Sequence, residues 1–268
     1  MTTSVDFKNK TIVITGAGGA FGRAASVYFA SLGANVCMLD ANEKFLNEAA
    51  LAVEEVTDKS KILIFKCDIT KRDEIDQGIN LIEDTFKDIH YLFNNAGYQG
   101  MFEKTHNYSF EDFHKVFEIN VYGSFNVLQA VARSMIKNKI NGSIVNVASD
   151  ATSGAPNMIA YSASKGAVLS MSKTASKDLA PYNIRVNSIS PCFIGDNKMW
   201  ERQCELQARV SSIFYSNDPA EVAKQMISKV PIRRIGTIEE VISVTAFLLS
   251  DLSSYVVGQD IHINGGVE

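Results

Sequence analysis

The sequence has 268 residues, 46% of them hydrophobic and 21% charged, with a net charge of −4 and a pI of about 5.7. That is enough apolar chain to bury a sizeable core as one large α/β domain, and the acidic balance argues against nucleic acid or an anionic membrane surface as a partner. No run reaches the ~18 apolar residues of a membrane helix, so no membrane association is expected. Met1 to Lys10 is polar, without an apolar signal stretch. Cys37, Cys67, Cys192 and Cys204 lack metal or redox spacing. They read as free thiols of a reducing cytosol, so a cytoplasmic protein without a metal site is expected.

Short apolar runs alternate with helical patterns along the chain. Thr11–Thr15 predicts a strand, and Arg23–Leu32 a helix closed by Gly33. Asn35–Leu39 predicts a strand, Glu43–Val56 a helix, Ile62–Phe65 a strand and Arg72–Phe86 a helix. Tyr91–Phe93 predicts a fourth strand, followed by a long helix from about Phe110 to Lys137. Ser143–Val147 predicts a strand, Tyr161–Leu179 a helix stopped near Pro181, and Ile184–Ile189 a strand. Glu239–Leu249 predicts the last helix and Asp260–Ile263 the last strand. Strands apolar on both faces, alternating with helices, predict an α/β fold. Its doubly wound parallel sheet has about seven strands, with helices on both faces. No composition break or repeat interrupts the chain, so residues 1–268 are expected to form a single domain. The exception to the rhythm is an insertion at about 193–230, which carries the only tryptophan, Trp200; insertions of this length usually form lids or binding loops.

The first strand runs into Thr15-Gly16-Ala17-Gly18-Gly19-Ala20-Phe21-Gly22, directly before the first helix. Glycines let the backbone approach a pyrophosphate, and a helix N-terminus offers unpaired N–H groups and a favourable dipole. Many strand-to-helix turns carry glycine. Strand, turn, helix and a later acid together make a dinucleotide site, and the sheet Rossmann-type. The acid is Asp40, 24 residues beyond Gly16. A carboxylate there accepts from both ribose hydroxyls and repels a 2′-phosphate, favouring NAD over NADP. The alternative is an N-cap for the next helix.

Tyr161 and Lys165 stand four residues apart, with Ser149 twelve residues upstream of the tyrosine. Positions i and i+4 share a helix face. An ammonium beside a phenol pulls the phenol down from its ordinary pKa of ~10, toward the range of efficient proton transfer. A serine hydroxyl could hold the oxygen that gains or loses the proton. The trio reads as proton exchange with an alcohol or a carbonyl, although an isolated Tyr-x-x-x-Lys pair is also compatible with an ordinary exposed helix.

In this order the residues resemble the short-chain dehydrogenase/reductase family over essentially the whole chain. The marks are the glycine loop Thr15–Gly22, Asn94-Asn95-Ala96-Gly97 after the fourth strand, Asn120 in the long helix, Ser149, Tyr161-x-x-x-Lys165, and Pro191 after the sixth strand. The segments Asn94–Gly100, Ala180–Asn187, Met199–Gln203 and Glu205–Ala208 are similar to NAD-dependent polyol dehydrogenases of the xylitol type.

The resemblance implies an oxidoreductase that moves a hydride between NAD(H) and a polyol/ketose pair. Tyr161 would exchange the proton. Ser149 would hold the substrate oxygen, and Lys165 would lower the tyrosine pKa and bind the nicotinamide ribose. Asn120 would hold a water behind Lys165, or satisfy a helix irregularity, or both. Cofactor contacts are implied at Gly16, Gly19, Phe21 and Gly22, at Asp40, and at Asp68 and Ile69 after the third strand. Further contacts are implied at Asn94, Ala96 and Gly97, at Tyr161 and Lys165, and at Pro191 and Ile194. A helix cap is the alternative for Asp68. The resemblance also implies a homotetramer built through the long helices and the C-terminal strand.

Three departures stand out. Ala20 sits where the family usually has its middle glycine. Cys192 replaces the usual glycine after Pro191, placing a thiol beside the expected nicotinamide. The interval from Ser149 to Tyr161 is one residue shorter than in most relatives. Gln99, Asn157, Met158 and Trp200 are the candidate substrate residues, a polar set beside an aromatic wall that suits a polyol; Trp200 and Met158 read equally as lid packing. The alternatives are another secondary alcohol or ketone (cyclic, steroid or 3-oxoacyl) and a nucleotide-binding regulator or scaffold with little catalysis.

Overall fold

The apolar runs fold, among the described residues, into seven parallel strands: β1 (Thr11–Thr15), β2 (Asn35–Asp40), β3 (Ile62–Lys66), β4 (Tyr91–Asn94), β5 (Ser143–Val147), β6 (Arg185–Pro191) and β7 (Asp260–Ile263). They form one sheet in the order β3-β2-β1-β4-β5-β6-β7. The computed structural model describes residues 5–195 and 198–267; the first four residues of the polar N-terminal segment, residues 196–197 of the expected insertion and residue 268 lie outside the described residues.

Every residue of β1, β4 and β5 is buried, as expected of central strands covered on both faces. Ile12 and Ile14 point into a core formed with α1 (Ala20–Ser31), α2 (Glu43–Glu54) and α9 (Ile238–Leu249). Val13 points the other way, into a core formed with α3 (Arg72–Phe86), α5 (Ser124–Lys137) and α6 (Ile159–Leu179). This is the period-2 alternation of a strand between two helical layers. The strand order reverses between β1 and β4, which opens a crevice beyond their C-terminal ends.

Two expectations need correction. The helix after β1 begins at Ala20, three residues before Arg23, because Gly19 takes the extended cap position. The long helix is broken. α4 (Phe110–Phe117) passes through a π-turn over Glu118–Gly123 before α5 begins. The expected insertion holds α7 (Lys198–Arg209) and α8 (Pro219–Ser228). Cys204, Ala208, Tyr215, Val222 and Met226 give these helices a small core of their own.

Candidate active site

At the crevice, a cavity of about 390 Å³ is lined by Gly16, Asp40, Asp68, Ile69, Ala96 and Gly97 together with Lys115, Glu118 and Ile119. Six of the expected cofactor residues therefore meet at one place. The glycine loop is packed as close approach demands: a Cβ on Gly22 would lie 2.1 Å from the Gly16 carbonyl oxygen. Gly16 itself has φ +64, and a Cβ there would lie 2.9 Å from Ala96 Cα. No acidic side chain of its own stands in the first turn of α1, whose N-terminus carries the positive end of the helix dipole. Ala20 is exposed in this first turn, outside the positive-φ residues, and its methyl is accommodated without strain. The Phe21 side chain packs on the core. These features fit a dinucleotide with its pyrophosphate on α1.

Asp40 does not cap α2. That role belongs to Asn42, whose side chain accepts from Phe45 N. Asp40 instead joins the two loops of the cleft: Oδ2 accepts from Gly18 N at 2.9 Å and Oδ1 from Asn42 N at 2.8 Å. Asp68 does not cap α3 either. Its Oδ1 accepts from the amide and hydroxyl of Thr70 in a tight turn ahead of the helix, and Lys71 takes the cap position without a side-chain bond.

Asn94 is buried, and its Nδ2 donates to Ser124 O and Asn146 Oδ1, both at 2.9 Å. It ties β4 to β5 and α5, and its carboxamide is spent within the scaffold rather than at a ribose. The residue that braces the phosphate loop is Asn95, which sequence reasoning passed over. Its Nδ2 donates to Thr15 O at 3.0 Å and Gly16 O at 3.3 Å, while the Thr15 hydroxyl accepts from the amides of Asn95 and Ala96. The doubled asparagine was the available signal.

Ser149 leaves the end of β5, and Tyr161 lies in the first turn of α6 with Lys165 one turn on. The Ser149 hydroxyl neighbours the Tyr161 phenol. Lys165 Nζ is buried, donates to Val147 O at 2.7 Å and lies 5.7 Å from the Tyr161 ring centroid. The Asn94–Gly97 loop closes on the same point: a Cβ on Gly97 would lie 3.3 Å from Asn120 Oδ1 and 3.4 Å from Lys165 Nζ.

Burial pushes the Tyr161 phenol up, and the neighbouring Ser149 hydroxyl opposes that rise. Burial in turn lowers Lys165 to about 8. The π-turn explains Asn120. Its Oδ1 accepts from Tyr98 N at 2.7 Å, and its Nδ2 donates to Tyr98 O and Ser164 Oγ, both at 2.9 Å. Both Nδ2 hydrogens and one lone pair of Oδ1 are thus spent on the scaffold, which leaves Oδ1 one further acceptor site. The short interval between Ser149 and Tyr161 is absorbed by a 3₁₀ turn over Asp150–Ser153 and by left-handed backbone at Gly154 (φ +100) and Asn157 (φ +68).

On the substrate side, Gln99 is buried. Its Oε1 accepts from Arg202 and its Nε2 donates to Gln203 Oε1, both at 3.4 Å. Asn157 Nδ2 donates to Gln207 Oε1 at 2.7 Å and to Ser212 Oγ at 3.0 Å. These two residues therefore latch α7 onto the rim of the site. Arg202, Gln203 and Gln207 went unrecognised; the i, i+4 glutamine pair on an amphipathic helix was their one signal. Met158 is buried, and Trp200 packs edge-on against Phe193 at 5.9 Å beside the lid core.

Pro191 ends β6, and the buried Ile194 forms a short bridge with Gly236. Burial, and then the neighbouring Asp150 carboxylate, push the Cys192 thiol up. It lines a second cavity of about 590 Å³ beside α9 and the C-terminal segment.

A family model described as enoyl-(acyl carrier protein) reductase matches residues 16–268. The chain is 46% identical to a protein whose structure is that of NAD+-bound xylitol dehydrogenase, covering 97% of this chain and 99% of that one with a TM-score of 0.93. It is 35% identical to a 3-oxoacyl-(acyl-carrier-protein) reductase of Thermotoga maritima over 97% of this chain and 98% of the relative. It is 34% identical to an NAD-dependent glycerol dehydrogenase of Listeria innocua serovar 6a over 96% and 93%, respectively.

Proposed function

Because the chain belongs to the short-chain dehydrogenase/reductase family, we propose that this oxidoreductase moves a hydride between NAD(H) and a polyol/ketose pair, with a xylitol-like polyol as substrate. The observation that carries the reading is the meeting of Ser149, Tyr161 and Lys165 with Gly97 at the end of a cleft walled by Asp40. NAD, when bound, supplies the hydride acceptor for oxidation. Tyr161 takes the hydroxyl proton, Ser149 donates to or accepts from the substrate oxygen, and Lys165 holds positive charge behind the tyrosine and binds the nicotinamide ribose. Gly16, Gly19, Phe21 and Gly22 receive the pyrophosphate through main-chain groups. Asp40 takes the adenine-side ribose, and Asp68 and Ile69 border the adenine. Pro191 and Ile194 border the nicotinamide.

A polyol is favoured by the polar wall of Gln99, Arg202 and Gln203, and by the likeness to a xylitol dehydrogenase and a glycerol dehydrogenase. A second reading, reduction of a 3-oxoacyl or cyclic ketone with NADP, draws on the 3-oxoacyl reductase relative and on a levodione reductase 30% identical to this chain. A homotetramer belongs to the reading as well, supported by the exposed Phe110, Tyr122 and Phe125 along α4 and α5.

The deciding experiment is a panel of pentitols and hexitols with NAD and NADP, beside ketoses, cyclic ketones and 3-oxoacyl compounds with NADH and NADPH, followed at the absorbance of the reduced nicotinamide. Turnover of a pentitol with NAD supports the proposal. Turnover confined to cyclic or acyl ketones with NADPH overturns it. Tyr161→Phe abolishes turnover and leaves NADH binding intact; surviving activity removes Tyr161 from the acid/base role, and NADH binding without turnover by the unaltered protein identifies a scaffold.

A further inference from the structure

The residue after Ser149 is held from the far edge of the sheet. Asp150 is nearly buried, its side chain 11% exposed. Its Oδ1 lies 2.7 Å from His262 Nδ1 and accepts from Asn264 Nδ2 at 3.2 Å, and the Cys192 thiol neighbours the same carboxylate. The partners come from β7, the segment after it and the segment after β6. A carboxylate only accepts, so His262 Nδ1 is the donor of the short contact. On its other side, His262 Nε2 stands 3.3 Å from Asp260 Oδ2. Asp260 is fixed independently, accepting from Ser188 Oγ and Ser190 Oγ at 2.7 Å each. The imidazole therefore bridges a carboxylate anchored on the sheet and one attached to the serine loop.

That loop also packs against α6. Ser149 is extended (φ −171), its Oγ accepts from Ala151 N at 3.2 Å, and Asp150–Ser153 form one 3₁₀ turn. We propose that His262 is a positioning residue for the reaction: through Asp150 it sets where the Ser149 hydroxyl stands against Tyr161, so that the C-terminal strand tunes the catalytic centre. This rests on the reading of Ser149 as the hydroxyl that meets the substrate.

The two ring nitrogens can be tested separately. An asparagine amide nitrogen occupies the place of Nδ1, and a glutamine amide nitrogen that of Nε2. His262→Asn thus keeps the donor to Asp150, whereas His262→Gln keeps only the partner of Asp260. Both variants of the full-length protein are compared by amide hydrogen exchange over residues 149–153, by xylitol oxidation with NAD, and by NADH affinity. The expected result is faster exchange over 149–153 in His262→Gln and near-normal exchange in His262→Asn. The same pattern follows in kcat: a loss of about 10-fold or more for Gln, since small misplacements of reacting groups are costly, and retention of most turnover for Asn. NADH affinity is unchanged in both. Equal exchange in the two variants, or a larger effect for Asn than for Gln, overturns the proposal. The substrate reading fails separately: if the unaltered protein does not oxidise xylitol, or Ser149→Ala keeps its activity, that reading falls while the exchange data still judge the bridge.

Discussion

Replacing Asn120 with alanine removes a fully buried carboxamide with three partners, Tyr98 N, Tyr98 O and Ser164 Oγ. Each bond contributes about 1 kcal/mol net, and leaving the Tyr98 amide and carbonyl without partners adds about 1–3 kcal/mol. The total is about 4–6 kcal/mol, a large part of the ~5–15 kcal/mol that holds a typical fold. At about 2–4 °C per kcal/mol for a chain of this size, the melting temperature falls by roughly 8–24 °C. Function falls with it, because Tyr98 adjoins Gln99 and belongs to a shelf that Asp112 also braces, accepting from Met101 N at 2.8 Å and Tyr98 OH at 3.2 Å. Ser164→Ala is the calibrating control; it removes one of the three bonds and is expected to cost about 1 kcal/mol. Thermal unfolding by circular dichroism is the assay. An Asn120→Ala protein that melts within about 2 °C of the parent, and is therefore weakened by about 1 kcal/mol at most, would refute a structural role for the carboxamide.

Tyr161 must be deprotonated to act as a base and protonated to act as an acid. Since burial raises it, oxidation with NAD is expected to rise toward alkaline pH while carbonyl reduction stays level through neutrality. The ammonium of Lys165 is lost above about 8, so the oxidative rise should flatten beyond that point; an oxidative optimum on the acidic side contradicts the assignment. Gly22→Ala drives a Cβ to 2.1 Å from Gly16 O, whereas Gly19→Ala reaches only 3.3 Å from the same atom. The first should lose about 2 kcal/mol or more along with NADH affinity, and the second little of either; calorimetry giving equal losses refutes the packing account. Asn157→Gly keeps the left-handed backbone (φ +68) while deleting the bonds to Gln207 and Ser212. Two bonds of about 1 kcal/mol each predict a rise of about 10- to 30-fold in substrate KM with NADH affinity constant, and an unchanged KM shows that the latch does not govern substrate access.

The alternation of strands and helices was legible because it depends on side-chain period over a few residues. β1, α3, β5 and β7 fall on their predicted bounds. The π-turn was legible only as a helix irregularity that Asn120 could satisfy, not from the apolar pattern. One extra residue in a turn barely disturbs an apolar pattern, and this one is fixed by the bonding of Asn120 to Tyr98, 22 positions away. Asp40 was open between ribose contact and helix cap until Asn42 proved to be the cap. Trp200 and Met158 read as pocket residues from their neighbourhood in the chain, but a residue's exposure depends on what packs over it.

The chemistry of the centre was written locally. Tyr161 and Lys165 share a face because they are one helical turn apart, and a glycine turn between a strand and a helix makes a phosphate cradle wherever it occurs. Those features need only dihedral preferences and near neighbours. The cofactor cleft, the seating of α7 on Gln99 and Asn157, and the contact of His262 with Asp150 across 112 residues depend on how strands order and how the lid packs. Such relations arise when distant segments share a sheet or a core, and no local pattern encodes them.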